Sequence, residues 1–157
     1  MKFETTSATQ TEAVGEQLAP LLYAGAVLLL EGDLGAGKTT FTRGLARTLG
    51  ISRAIKSPTF TIIREYRDGR LPLFHMDLYR LEHSSADDLG LEEYFEGQGV
   101  CVIEWPEFGA DVLPKDVLTI TIERSAKLDD GRQFTLTAQG PRSEVLLGQF
   151  AKRWSNE

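Results

Sequence analysis

The sequence predicts an α/β fold of three layers, with helices on a mixed, mainly parallel central sheet and a helix at the C-terminal end. Three observations carry that expectation. Two runs, Val27-Leu28-Leu29-Leu30 and Val100-Cys101-Val102-Ile103, are apolar on both faces, as buried parallel strands must be. A glycine-rich turn from Gly32 to Gly37 joins the first run to an amphipathic helix. Beyond Pro58 the pattern changes to alternating segments joined by turn residues, the mark of antiparallel hairpins.

Phe3 to Thr5 reads as a short strand. Thr9 and Glu12 have capping-box spacing and predict the start of a helix carrying Val14, Leu18, Leu21 and Leu22, with Pro20 forcing a kink or boundary. After the glycine-rich turn, Phe41, Leu45 and Leu49 share one helical face, and Gly50 supplies a C-terminal stop. Residues 60–67 and 71–77 flank Asp68-Gly69, which predicts a hairpin. Ser85 and Asp88 can cap a short helix, whose acidic neighbours Asp87, Glu92, Glu93 and Glu96 read as a solvated face. Leu118 to Ile122 and Phe134 to Thr137 alternate around a loop containing Asp129-Asp130-Gly131. Ser143 then opens a helix carrying Val145, Leu146, Phe150 and Trp154.

The 157 residues carry 17 Lys+Arg against 23 Asp+Glu, a net charge of −6, with 41% hydrophobic residues. That is ordinary globular composition and suits one domain over 1–157. A pI near 5.0 argues against a broad nucleic-acid-binding face. The single cysteine, Cys101, excludes an intramolecular disulfide and reads as core packing. His75 and His83 offer no metal constellation. The opening residues contain no signal-like apolar stretch, and no run approaches the ~20 residues of a membrane span, so the expected location is the cytoplasm.

Gly32-Asp33-Leu34-Gly35-Ala36-Gly37-Lys38-Thr39 fits the phosphate-loop pattern G-x-x-x-x-G-K-[ST] in full, in the required strand-to-helix setting. Glycines let backbone N–H groups converge on an anion, and the helix N-terminus adds positive potential. Lys38 would reach the β- and γ-phosphates, and the Thr39 hydroxyl would ligate Mg²⁺. Such a loop needs a carboxylate at the end of a neighbouring buried strand. Glu104, after four apolar residues and before Trp105-Pro106, is the better metal candidate. Asp77, which ends Leu73-Phe74-His75-Met76, is left to position or activate the attacking water. Thr59, fixed by Pro58, is the candidate γ-phosphate sensor of a switch loop. Trp105 either packs beside the nucleotide or closes the core.

Four blocks occur here in a distinctive order and spacing: residues 32–40, Lys56-Ser-Pro-Thr-Phe-Thr61, His75-Met-Asp-Leu-Tyr-Arg80 and Val102-Ile-Glu-Trp-Pro106. Together they resemble the TsaE family, bacterial ATPases required for the threonylcarbamoyladenosine modification of tRNA. The resemblance implies a P-loop NTPase fold and ATP with Mg²⁺. It implies metal positions at Thr39 and Glu104, phosphate contacts from Leu34 to Thr39, and backbone beside the purine near Ala8. Gly32, Gly35, Ala36, Gly37, Thr40 and Trp105 complete the expected nucleotide contacts. Asp77, Thr59 and Trp105 match residues tied to hydrolysis or the switch, with Lys38 beside them as a catalytic candidate. The implied partners are TsaD and TsaB, with TsaD carrying the transferase chemistry.

Three other readings compete. A small kinase needs an acceptor site and usually an arginine-bearing lid, whereas the region after Lys56 offers a hairpin and scattered arginines. A switch GTPase needs Asn-Lys-x-Asp, and the only asparagine is Asn156. A nucleotide-gated binding module, with hydrolysis too slow to matter alone, differs in whether turnover or only ATP occupancy supports its partner.

Overall fold

The computed structural model describes residues 1–33, 35–56, 58, 62–81 and 90–155. Strands β1 (Lys2–Thr5), β2 (Val27–Glu31), β3 (Ile63–Tyr66), β4 (Leu73–Asp77), β5 (Val100–Glu104), β6 (Val117–Arg124) and β7 (Arg132–Gln139) form one sheet in the order β1-β7-β6-β2-β5-β4-β3. The four central strands, β6, β2, β5 and β4, run parallel, and the pairings nearer the edges are antiparallel. Helices α1 (Ala8–Leu18), α2 (Lys38–Thr48) and α4 (Pro141–Ser155) cover one face. The other face is covered more thinly, by α3 (Leu91–Phe95) and short 3-10 turns at Tyr79–Leu81 and Pro106–Gly109.

Alternation along the strands explains both layers. Leu28, Leu30, Leu73, Val100 and Val102 pack with Val14, Leu18, Phe41 and Leu45 on the α1–α2 side. Val27, Leu29, Phe74, Met76, Cys101 and Ile103 pack with Leu91 and Phe95 on the other. Cys101 lies in this second core, where burial pushes its thiol up to about 12 and leaves it a packing residue.

Most expected elements are present, with shifts at their ends. The cap of α1 is Ser7, not Thr9: its Oγ accepts from the Gln10 N–H, and Gln10 Oε1 accepts from the Thr6 N–H. Ser7-Ala-Thr-Gln10 has the same spacing as the predicted box two residues later, and helical period alone does not separate the two registers. Helix α1 ends at Leu18, and Pro20 sits in the 3-10 turn that follows. The β3–β4 hairpin exists, but residues 67–72 connect it, and the Arg70 N–H donates to the Leu49 carbonyl at the end of α2. Helix α4 begins at Pro141, two residues before Ser143, because Asp116 accepts from the Arg142 and Ser143 N–H groups. Val145 faces solvent, whereas Leu146 and Phe150 are buried. Glu92, Glu93 and Glu96 are exposed as expected. Ser85, Asp87, Asp88 and His83 lie outside the described residues.

Helices α1 and α2 touch backbone to backbone. A Cβ on Gly44 would collide with the Glu12 carbonyl oxygen, and one on Gly15 with that of Phe41. Gly44→Ala tests this contact, since helix propensity favours alanine by about 1 kcal/mol while overpacking costs about 1–3 kcal/mol. The clash is with backbone, so a fall of several degrees in Tm is expected by circular dichroism. An unchanged or higher Tm would disprove the close approach.

Candidate active site

The site lies where β2, β4 and β5 end and α2 begins. Gly32 turns the chain out of β2 with φ 153°, and a Cβ there would strike the Ile122 carbonyl oxygen, so the turn requires glycine. Gly37 caps α2 in the left-handed region, φ 110°. Lys38 is therefore the first residue of a helix aimed at the open end of the sheet. A cavity of about 550 Å³ opens there, lined by Gly35, Gly37, Lys38, Thr39, Thr40, Asp77, Tyr79, Glu104, Trp105 and Arg132.

The acids arrive by register. β4 and β5 are parallel neighbours with Asp77 opposite Glu104, so both strands finish together. His75, Asp77 and Glu104 continue the stripes of Leu73, Val100 and Val102, which face α1 and α2. All three polar side chains therefore point to the layer that holds Lys38, and all are buried. Lys38 Nζ lies 3.5 Å from Glu104 Oε1 and 4.7 Å from the centre of the Trp105 ring. His75 Nε2 lies 2.7 Å from Glu104 Oε2. Burial acts to raise the Glu104 pKa, but the interactions with His75 and Lys38 outweigh it and hold the carboxyl below the usual range. Asp77 Oδ1 accepts from the Tyr79 N–H, which fixes the carboxylate at the strand end.

Trp105 is held with φ 56° and ψ 54°, a conformation costing a side-chain-bearing residue about 1–3 kcal/mol. Its ring does not close the core. It lines the cavity beneath Lys38 and packs against Tyr79 and Phe108, with centroids 5.1 and 6.4 Å away.

Eight sequence-predicted residues thus meet at the cavity: Gly35, Gly37, Lys38, Thr39, Thr40, Asp77, Glu104 and Trp105. Gly32 and Ala36 shape the loop from outside that lining. Ala8 is exposed in the first turn of α1, three residues before Thr11, whose methyl group faces Gly37. Leu34 and Thr59 lie outside the described residues. Three residues were missed. Tyr79, quoted only as part of the third block, lines the cavity and donates its N–H to Asp77 Oδ1. His75, read only as a histidine without a metal constellation, is the partner of Glu104. Its alternation with Leu73 and Asp77 already placed it on the same strand face as the acid. Arg132, which no motif singled out, donates from Nε to the Ala36 carbonyl at 2.7 Å and from Nη2 to the Gly35 carbonyl at 3.4 Å, bracing the loop. No local pattern announces that contact.

The donor set fits a nucleotide with a hard divalent cation. Mg²⁺ in such sites takes one or two protein oxygens and completes its shell with phosphate and water. Thr39 and Glu104 provide one hydroxyl and one carboxylate in the same cavity, beside the N-terminus of α2 and the Lys38 ammonium.

Comparison with known proteins agrees with this geometry. The family profile for TsaE, threonylcarbamoyl adenosine biosynthesis protein, matches residues 5–134. The tRNA threonylcarbamoyladenosine biosynthesis protein TsaE of Bacillus subtilis is 51% identical over 152 residues, covering 97% of this chain and 94% of its own. The protein of the same name from Treponema pallidum is 46% identical over 138 residues, covering 87% of this chain and 99% of its own. The crystal structure of YdiB from Bacillus subtilis superposes with a TM-score of 0.85 at 47% identity, over 97% of this chain and 94% of that one. A glycine-rich loop facing two strand-terminal acids, together with near-full-length identity to these relatives, shows that the chain belongs to the TsaE family of threonylcarbamoyladenosine biosynthesis proteins.

Proposed function

We propose that this chain binds ATP with Mg²⁺ and hydrolyses it in support of the threonylcarbamoyladenosine modification of tRNA, acting on a TsaD–TsaB-type complex in the cytoplasm. The observation that carries the reading is the meeting of Lys38 and Glu104, 3.5 Å apart, across one cavity with Thr39 and Asp77. Loop N–H groups and Lys38 bind the phosphates. Thr39 and Glu104 would hold Mg²⁺, which would supply counter-charge to the phosphates. Asp77, fixed by the Tyr79 N–H, orients a water for attack on the γ-phosphorus. Trp105 and Tyr79 wall the cavity against solvent.

Turnover alone is expected to be slow. An arginine at the γ-phosphate contributes about 10³–10⁵ in rate. Arg132 lines the cavity, but its Nε and Nη1 donate to the carbonyls of Ala36, Asp129 and Gly131. It is a brace for the loop rather than a finger on the phosphate. The same fact favours the second reading, a nucleotide-gated binding module in which ATP occupancy alone supports docking.

Steady-state phosphate release at saturating ATP, with and without purified TsaD and TsaB, separates these readings, with Lys38→Ala as background. Slow release that the partners raise at least about tenfold is expected. Nucleotide-dependent assembly without any rise in release would favour the binding module. Fast release indifferent to the partners would reject partner dependence.

A further inference from the structure

We propose that His75 is a positioning residue that aims the Glu104 carboxylate at the metal site, an inference that rests on the ATP–Mg²⁺ reading above. His75 is fully buried in the middle of β4, on the face it shares with Leu73 on one side and Asp77 on the other. An apolar residue would fill that place without desolvating an imidazole. The ring makes one polar contact among the described residues, from Nε2 to Glu104 Oε2 at 2.7 Å, and Nδ1 is buried with no hydrogen-bond partner.

That asymmetry assigns a direction. A carboxylate oxygen accepts, so Nε2 is the donor in this contact, and Nδ1 faces no partner among the described residues. Among the described residues the imidazole leads to no further relay; its one bond ends on Glu104.

The geometry of the carboxylate completes the argument. With Oε2 held from beneath by His75, rotation about the last side-chain torsion is stopped, and Oε1 is presented to the cavity on the side of Lys38. Without His75, Oε2 would be buried and unpaired. The carboxylate would then be free to turn about that torsion and would present no fixed oxygen to a cation. His75 thus acts on the metal through Glu104, in the way that partners behind metal ligands generally orient them.

The test is calorimetric ATP affinity with and without Mg²⁺, together with a thermal melt, for the unmodified chain and for His75→Leu, His75→Gln and His75→Asn. Loss of such a partner costs about 10–100-fold in metal affinity. The expected result is therefore that His75→Leu loses most of the affinity that Mg²⁺ adds, while its Mg²⁺-free affinity stays within about threefold. Gln can reach Glu104 with its amide nitrogen, and the shorter Asn cannot, so Gln should restore the Mg²⁺ effect and Asn should not. A folded His75→Leu with an undiminished Mg²⁺ effect overturns the inference. Should His75→Leu fail to fold, equal Mg²⁺ effects in the Gln and Asn variants overturn it. Absence of ATP binding by the unmodified chain would instead overturn the ATP reading, and this inference with it.

Discussion

Lys38→Ala is expected to lower ATP affinity by about 10²–10⁴-fold. Lys38 supplies the only ammonium lining the cavity among the described residues, and it stands on the first turn of α2 above the Trp105 ring. Two charge-assisted hydrogen bonds to β- and γ-phosphates are together worth about 3–6 kcal/mol, which converts to that range. The variant should still fold. Removing one member of a buried ion pair can cost about 3–5 kcal/mol when the survivor is stranded, but Glu104 keeps its contact with His75 and borders an open cavity. Isothermal titration calorimetry checks the affinity and circular dichroism the fold. An affinity within about threefold of the unmodified chain would remove Lys38 from the phosphate site.

Glu104→Ala and Asp77→Ala are expected to differ in kind. Glu104 joins Lys38 and His75, so its loss should reduce Mg²⁺-dependent affinity and turnover together and leave two buried cation-capable groups without their shared partner. Asp77 sits opposite Glu104 on the next strand and is fixed by the Tyr79 N–H. Its loss should reduce hydrolysis by about 10²–10⁴-fold, the usual scale for a group that positions or deprotonates a reactant, with ATP affinity within about threefold. Calorimetry with and without Mg²⁺, paired with single-turnover hydrolysis, separates the two. Parallel losses of affinity, with no separate effect on hydrolysis, would refute this division of roles.

The parts of the site legible in the chain were those built from neighbours in sequence. The phosphate loop needs glycines at fixed offsets followed by Lys38 and Thr39, and every offset lies within one turn. Glu104 and Asp77 were legible because a buried strand that ends in an acid must place it at the sheet's edge. The cap of α1 was misplaced by two residues because Ser7-Ala-Thr-Gln10 and Thr9-Gln-Thr-Glu12 offer competing N-termini, and only the Ser7 bond to Gln10 chose between them. Trp105 stood open between two roles, and its left-handed backbone decided for the cavity wall.

Strand identity, the loop and the strand-terminal acids follow from periods of 2 and 3.6 residues and from glycine spacing, all of which act within one element. Everything that makes these pieces a site depends on strand order and register. Parallel pairing of β4 with β5 brings His75 beneath Glu104 from 29 positions away. The β6–β7 hairpin brings Arg132 to the Ala36 carbonyl across 96 positions. Asp116 caps α4 from 26 and 27 positions away, which is why the helix starts before Ser143. A one-residue change in side-chain alternation would turn Glu104 to the opposite face of the sheet with no change in local composition. Those contacts exist only once the two core layers select a single register, because only then does each strand bury its apolar stripe and leave its acid at the cavity.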